Sequence, residues 1–201
     1  MLNARPSSST SSSSNPIYFW RDIEDQTGWL SQWYPCAFTD DAGRLYKTAE
    51  YYMMYHKARL FSDIGTGNSI LSAGNPRKAK SLGRQVANFD ESVLAAECQA
   101  IVRQGNHLKF MPPVIDESEL RRGASDAAPL VGMTLRELLL STGDRELVEA
   151  IPFDNIWGVG FTALDAEMNR EHCGKNLPGK ALMEVREIFK EDENKKTGDE
   201  K

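Results

Sequence analysis

Thr48-Ala49-Glu50-Tyr51-Tyr52-Met53-Met54-Tyr55-His56-Lys57-Ala58 is the stretch on which the fold reading turns. Thr48 reads as a helix N-cap, and Glu50 falls in the first turn, where the helix dipole favours a carboxylate. A helix is expected from about Ala49 to Leu60. Glu50, Met54, Lys57 and Phe61 recur at helical spacing and share one face. That face sets two charges among apolar groups in the most aromatic helix of the chain. Two readings stand. In one it is a solvated edge, with Lys57 laid along apolar surface and Glu50 serving the helix N-terminus. In the other, a semi-buried carboxylate and a cation face a pocket, and burial with the partner charge tunes both.

Working outward, short β-compatible runs at Cys36–Thr39 and Arg44–Lys47 flank Asp40-Asp41-Ala42-Gly43 and predict a small hairpin. Before it lies an aromatic cluster: Tyr18, Phe19, Trp20, Trp29, Trp33, Tyr34 and Phe38. Trp20 and Trp29 are expected in a core layer, the alternative being a stacking wall for a flat ligand. After the helix, Asp63 to Gly74 reads as loop around a short helical piece. Asn75-Pro76 opens a short helix to about Arg84. Asp90 caps a longer one with Val93, Leu94, Ile101 and Val102, ending near Gly105-Asn106. Residues 111–133 hold three Pro and two Gly with mixed charges and read as a surface insertion. Thr134-Leu135-Arg136-Glu137 is a capping box, and Gly143 a C-terminal stop. A final helix from about Pro178 to Phe189 aligns Leu182, Val185 and Phe189. The fold class is therefore mainly α, a compact multihelical domain with a small β-hairpin. The domain is expected at 16–189, between a disordered Ser-rich tail at 1–15 and a disordered charged tail at 190–201.

The 201 residues suit one domain, and 40% hydrophobic with 26% charged residues is globular composition. No apolar run reaches the roughly 18–20 residues that span a bilayer. The N-terminus lacks the apolar core of a secretory signal. Three Cys without CxxC spacing argue against a disulfide framework and for a reducing compartment, so a cytoplasmic or nuclear location is expected. A net charge of −5 excludes general duplex binding, while leaving room for a local basic pocket around a small anion. No HExxH, GxSxG or strand-borne GxGxxG motif occurs, so no metal and no cofactor is implied.

Two further segments can carry chemistry. In Asp154-Asn155-Ile156-Trp157-Gly158-Val159-Gly160, glycines let the backbone approach a ligand while an indole packs on it, and Asp154 adds a carboxylate to that of Glu149. The bland alternative is an Asx-type turn. Gly174-Lys175-Asn176-Leu177-Pro178-Gly179-Lys180 puts two lysines at a helix N-terminus, a weak anion site that lacks Walker A spacing.

These motifs, with Phe19-Trp20, Gln32-Trp33-Tyr34-Pro35, Thr48-Ala49-Glu50, Lys57-Ala58, Gly83-Arg84, Gly105-Asn106, Lys109-Phe110 and Leu147-Val148-Glu149-Ala150, occur in an order that resembles the NADAR (YbiA-like) family. The resemblance covers nearly all of the expected domain outside the insertion near 111–133. It implies a compact, mainly α-helical N-glycosidase that cleaves a ribose C1–nitrogen bond. The implied substrates are phosphoribosyl-pyrimidine intermediates of riboflavin synthesis or ADP-ribosyl-guanine, free or on nucleic acid. Glu50, Lys57 and Asp154 become the catalytic candidates. Trp33, Arg84, Glu149, Trp157, Gly158, Lys175 and Asn176 become the substrate-binding candidates. Lys57, Arg84 and Lys175, with Lys180 nearby, are expected to gather round an anionic sugar. The chain departs from the family pattern at Leu94, Cys98, His172 and Pro178. These departures keep open a non-catalytic module that binds ADP-ribose or a nucleotide.

Overall fold

The computed structural model describes residues 15–111 and 133–198. The expected Ser-rich tail and the expected insertion fall almost wholly outside the described residues.

The chain is mainly α. Its centre is α1 (Ala49–Leu60), in which every side chain from Ala49 to Tyr55 is buried. A helix buried on all sides needs neighbours on all sides. They are α2 (Ile64–Leu71), α3 (Pro76–Gly83) and α4 (Glu91–Phe110), all packed against it. The hairpin of β2 (Phe38–Thr39) and β3 (Leu45–Tyr46) closes the remaining side. Tyr46 meets Tyr52 edge-on at 4.9 Å, and Tyr52 stacks on His56 at 4.1 Å. Asn75 and Asp90 cap α3 and α4 through their side chains. Thr48 occupies the cap position of α1 without making the expected side-chain bond. The Gln32 carbonyl instead accepts the Glu50 N–H at 2.9 Å.

A second apolar cluster lies beyond α4. Phe110 from α4 meets Leu138 and Leu139 of α5 (Leu135–Ser141) and Leu182, Val185 and Phe189 of α7 (Leu177–Gly198). Between α5 and α7, β4 (Leu147–Glu149) pairs in parallel with β1 (Ile17–Phe19), so Ile17 faces Leu147 and Phe19 faces Glu149. A short α6 (Ala163–Ala166) follows the loop after β4. The Thr134–Glu137 capping box is formed, and Gly143 takes φ +64° just past α5.

Two boundaries differ from expectation. Helix α4 runs on to Phe110 because Gly105 is a contact position, not a stop. A Cβ there would come within 2.7 Å of the Tyr52 ring, so the α4 backbone rests on that ring. Helix α7 continues through the charged segment that reads as a tail, as far as Gly198. Lys190 bridges to Asp144 at 2.7 Å and Glu187 at 2.9 Å, and Arg136 reaches Asp192 and Glu193. The segment stays helical as an extension of the buried Phe189 turn, which composition alone hides.

Candidate active site

Seven segments meet around a cleft of about 570 Å³. The first turn of α1 brings Glu50, and α3 brings Arg77 and Lys80. The end of β4 brings Glu149, and the loop after it brings Asp154 and Trp157. The residues after β1 bring Trp20 and Arg21, and the segment before the hairpin brings Gln32 and Trp33. Pro178, in the first turn of α7, completes the rim.

The far end of α4 holds the Trp29–Trp33 segment in place. Buried Lys109 donates from Nζ to the carbonyls of Trp29 and Ser31, both at 2.8 Å. Asn106 and Gln32 exchange amide hydrogen bonds, with Gln32 Nε2 to Asn106 Oδ1 at 3.0 Å. Burial pushes the Lys109 ammonium down to about 8.

Glu50 and Glu149 are 6% and 5% exposed. Each has one buried oxygen without a hydrogen-bond partner among the described residues, Oε1 of Glu50 and Oε2 of Glu149. Such groups in a cleft are functional candidates, because an unpaired buried carboxylate is costly to keep for structure alone. Burial raises the Glu50 carboxyl, with Lys80, Trp33 and Arg84 pulling the other way. Burial and the nearby Glu50 push Glu149 up to about 8.

The structure brings Glu50, Glu149, Asp154, Trp33 and Trp157 together in this cleft. Asp154 is also an Asx turn, its Oδ1 accepting from the N–H groups of Ile156 and Trp157 at 3.1 and 2.8 Å. The Asx turn is therefore formed, in a loop whose Asp154 and Trp157 also line the cleft.

Other expected residues lie elsewhere. Lys57 is two turns from Glu50, about 10 Å along the axis, and packs its ammonium 4.0 Å from the Phe89 ring centre, outside the cleft lining. Arg84 is exposed and acts on Glu50 only through its charge. Lys175 is exposed, its N–H bonded to the Asn155 carbonyl. Lys180 lines a separate cavity of about 150 Å³. Asn176 is buried, and its amide ties α7 to β4 by accepting from Glu149 N–H (2.9 Å) and donating to Leu147 C=O (2.8 Å). Gly158 lets its loop lie against the Glu149 carbonyl and Ile151, where a Cβ would come within 2.8 Å. Trp29 is core as expected, whereas Trp20 lines the cleft with Arg21 4.4 Å over its ring.

Arg77 and Lys80, which line the cleft together with Arg21, escape sequence reasoning. They sit in a short polar helix whose charges look like a solvated face. Their spacing of three residues, which puts both on one side of α3, is the signal that marks them.

The profile of the NADAR domain matches residues 18–190. N-glycosidase R617 of Acanthamoeba polyphaga mimivirus is 37% identical over 164 residues, covering 79% of this chain and 85% of that protein. The riboflavin biosynthesis protein VVA0006 of Vibrio vulnificus is 28% identical, over 88% of this chain but 39% of its own length. The solution structure of Escherichia coli YbiA shares the fold, with a TM-score of 0.63 at 24% identity over 89% of this chain and 87% of that one. The profile spans the described elements from β1 into α7, and on that ground the chain belongs to the NADAR domain family.

Proposed function

We propose that the protein hydrolyses the bond between ribose C1 and a nitrogen in a ribosylated, phosphate-bearing substrate. The observation that carries this reading is the buried Glu50 carboxylate in a cleft lined by Trp20, Trp33 and Trp157. N-glycoside cleavage passes through an oxocarbenium-like ribose, and a carboxylate in a water-poor site stabilises that charge strongly. In this reading Glu50 faces the anomeric carbon, and Trp157 with Trp33 stacks on the base. Asp154 orients water or a ribose hydroxyl. Lys80 and Arg77 meet the phosphate, taking the part that sequence reasoning gives to Arg84 and Lys175. The relatives named as N-glycosidases support the reaction class. The Vibrio relative's name supports a phosphoribosyl-pyrimidine of riboflavin synthesis, and ADP-ribosyl-guanine presents the same base, ribose and phosphate.

The test is a substrate panel of ribosylaminopyrimidine phosphate, ADP-ribosyl-guanine as free nucleotide and in single-stranded DNA, and NAD. The wild type is expected to release free base from at least one. Glu50→Gln is expected to slow that release by about 10²–10⁴. Full turnover by Glu50→Gln would remove Glu50 from the reaction. Calorimetric binding of ADP-ribose with no base released would instead favour a nucleotide-binding module.

A further inference from the structure

The reaction has a second requirement that Glu50 cannot meet. A base leaves ribose readily only if its nitrogen is protonated, so a site that stabilises C1 also needs an acid. Glu149 is placed for that task. Its backbone is fixed at three points. Its N–H donates to Asn176 Oδ1 at 2.9 Å, and its carbonyl accepts from Ile151 and Val159, both at 3.0 Å. The side chain lines the same cleft as Glu50, with Oε2 buried and without a partner. Among the described residues neither glutamate forms an ion pair within 4 Å.

Two buried carboxylates that line one cleft, neither of them in an ion pair, oppose each other's ionisation near neutral pH. The groups that act on Glu149 come from four directions. Glu50 on α1 and Asp154 in the loop disfavour its charge, while Lys80 on α3 and Lys109 on α4 favour it. Burial and Glu50 dominate and push Glu149 up to about 8, which favours its protonated form at pH 7. Burial raises Glu50 as well, while Lys80, the Trp33 side chain and Arg84 all favour its ionised form.

We propose that Glu149 is a catalytic residue, the acid that protonates the departing base while Glu50 remains a carboxylate. The assignment rests on the N-glycosidase reading above. As the C1–N bond breaks, its electron pair passes to the base nitrogen, and the base takes the proton of the Glu149 carboxyl. The Glu50 carboxylate faces the cationic C1. Water then bonds to C1 and its surplus proton passes to the Glu149 carboxylate, which restores the starting state. One water is consumed, and free base and the phosphate-bearing ribose are formed.

The experiment compares two leaving groups. Ribosylaminopyrimidine phosphate needs a proton on its base, whereas the phenolate of 4-nitrophenyl riboside 5-phosphate departs without one. Glu149→Gln is expected to lose about 10²–10⁴ in kcat on the first and to stay within about tenfold of wild type on the second. Glu50→Gln is expected to fail on both. Wild-type kcat on the aminopyrimidine is expected to fall as pH rises past about 8, with no such limb on the nitrophenyl probe. If Glu149→Gln does not fold by circular dichroism, the two wild-type pH profiles decide alone. Equal loss on both probes, or identical pH profiles, overturns the acid role. Full activity of Glu149→Gln in an enzyme that Glu50→Gln disables overturns this assignment and leaves the N-glycosidase reading intact. A wild type that cleaves neither probe nor any member of the panel overturns both.

Discussion

Lys80 on α3 and Arg84 just past its end differ in kind, because charge near a cleft and charge in it act differently. Lys80 lines the cleft and favours the ionised form of both glutamates, whereas Arg84, one turn on, is exposed and outside the lining. Lys80→Ala is therefore expected to raise KM for a phosphorylated substrate by about tenfold or more, the loss of one charge-assisted hydrogen bond. Lys175→Ala is expected to leave KM unchanged. Steady-state kinetics on the cleaved member of the panel checks both. Phe153 invites a stability measurement. It is 99% exposed and holds φ +74°, a left-handed conformation that a bulky residue adopts at a cost of about 1–2 kcal/mol. Phe153→Gly is expected to stabilise the fold by about 1 kcal/mol, offset in part by the freer unfolded chain, and urea denaturation reads the change.

Among the elements, those whose reasons are local were legible in the sequence. Helix α1 has its own start, its own aromatic run and its own end, and its expected and observed spans coincide. The capping box of α5 and the Asn75 and Asp90 caps are likewise local chemistry. What escaped depends on partners far along the chain. The three residues of β1 are a strand only because Leu147–Glu149 lies beside them. Gly105 reads as a stop until the Tyr52 ring beneath it is known. In the candidate site, Glu50, Glu149, Asp154, Trp33 and Trp157 were legible through motif order. Arg77 and Lys80 were not, since a polar helix shows no preferred partner in its own sequence. Asn176 was legible as important but not for its role, which is to satisfy two backbone groups of β4. Asn176→Ala is expected to destabilise the protein by about 1–3 kcal/mol by leaving the Glu149 N–H and Leu147 C=O unpaired. Asn176→Asp is expected to be destabilising too, because a carboxylate cannot donate to Leu147. Thermal melts of the pair check this.

At the scale of the whole molecule, two buried acids make stability depend on pH. The Glu149 carboxyl in the folded protein titrates near 8, above its ordinary unfolded value. Between those two values the folded state keeps a proton that the unfolded chain releases, so stability falls as pH rises through that window. The melting temperature of wild type relative to Glu149→Gln is expected to decline from pH 5 to pH 8, and an increase would contradict the burial argument. The parallel pairing of Ile17 with Leu147 bears on synthesis as well as shape. A chain emerging from the ribosome can assemble α1 to α4 early, since these elements are neighbours in sequence, but β1 must wait for β4. Trp20 and Arg21 hang directly from β1, and Glu149 is the last residue of β4. A chain halted before residue 147 would hold Glu50 with nothing opposite it, so catalytic competence is expected to arrive late and all at once.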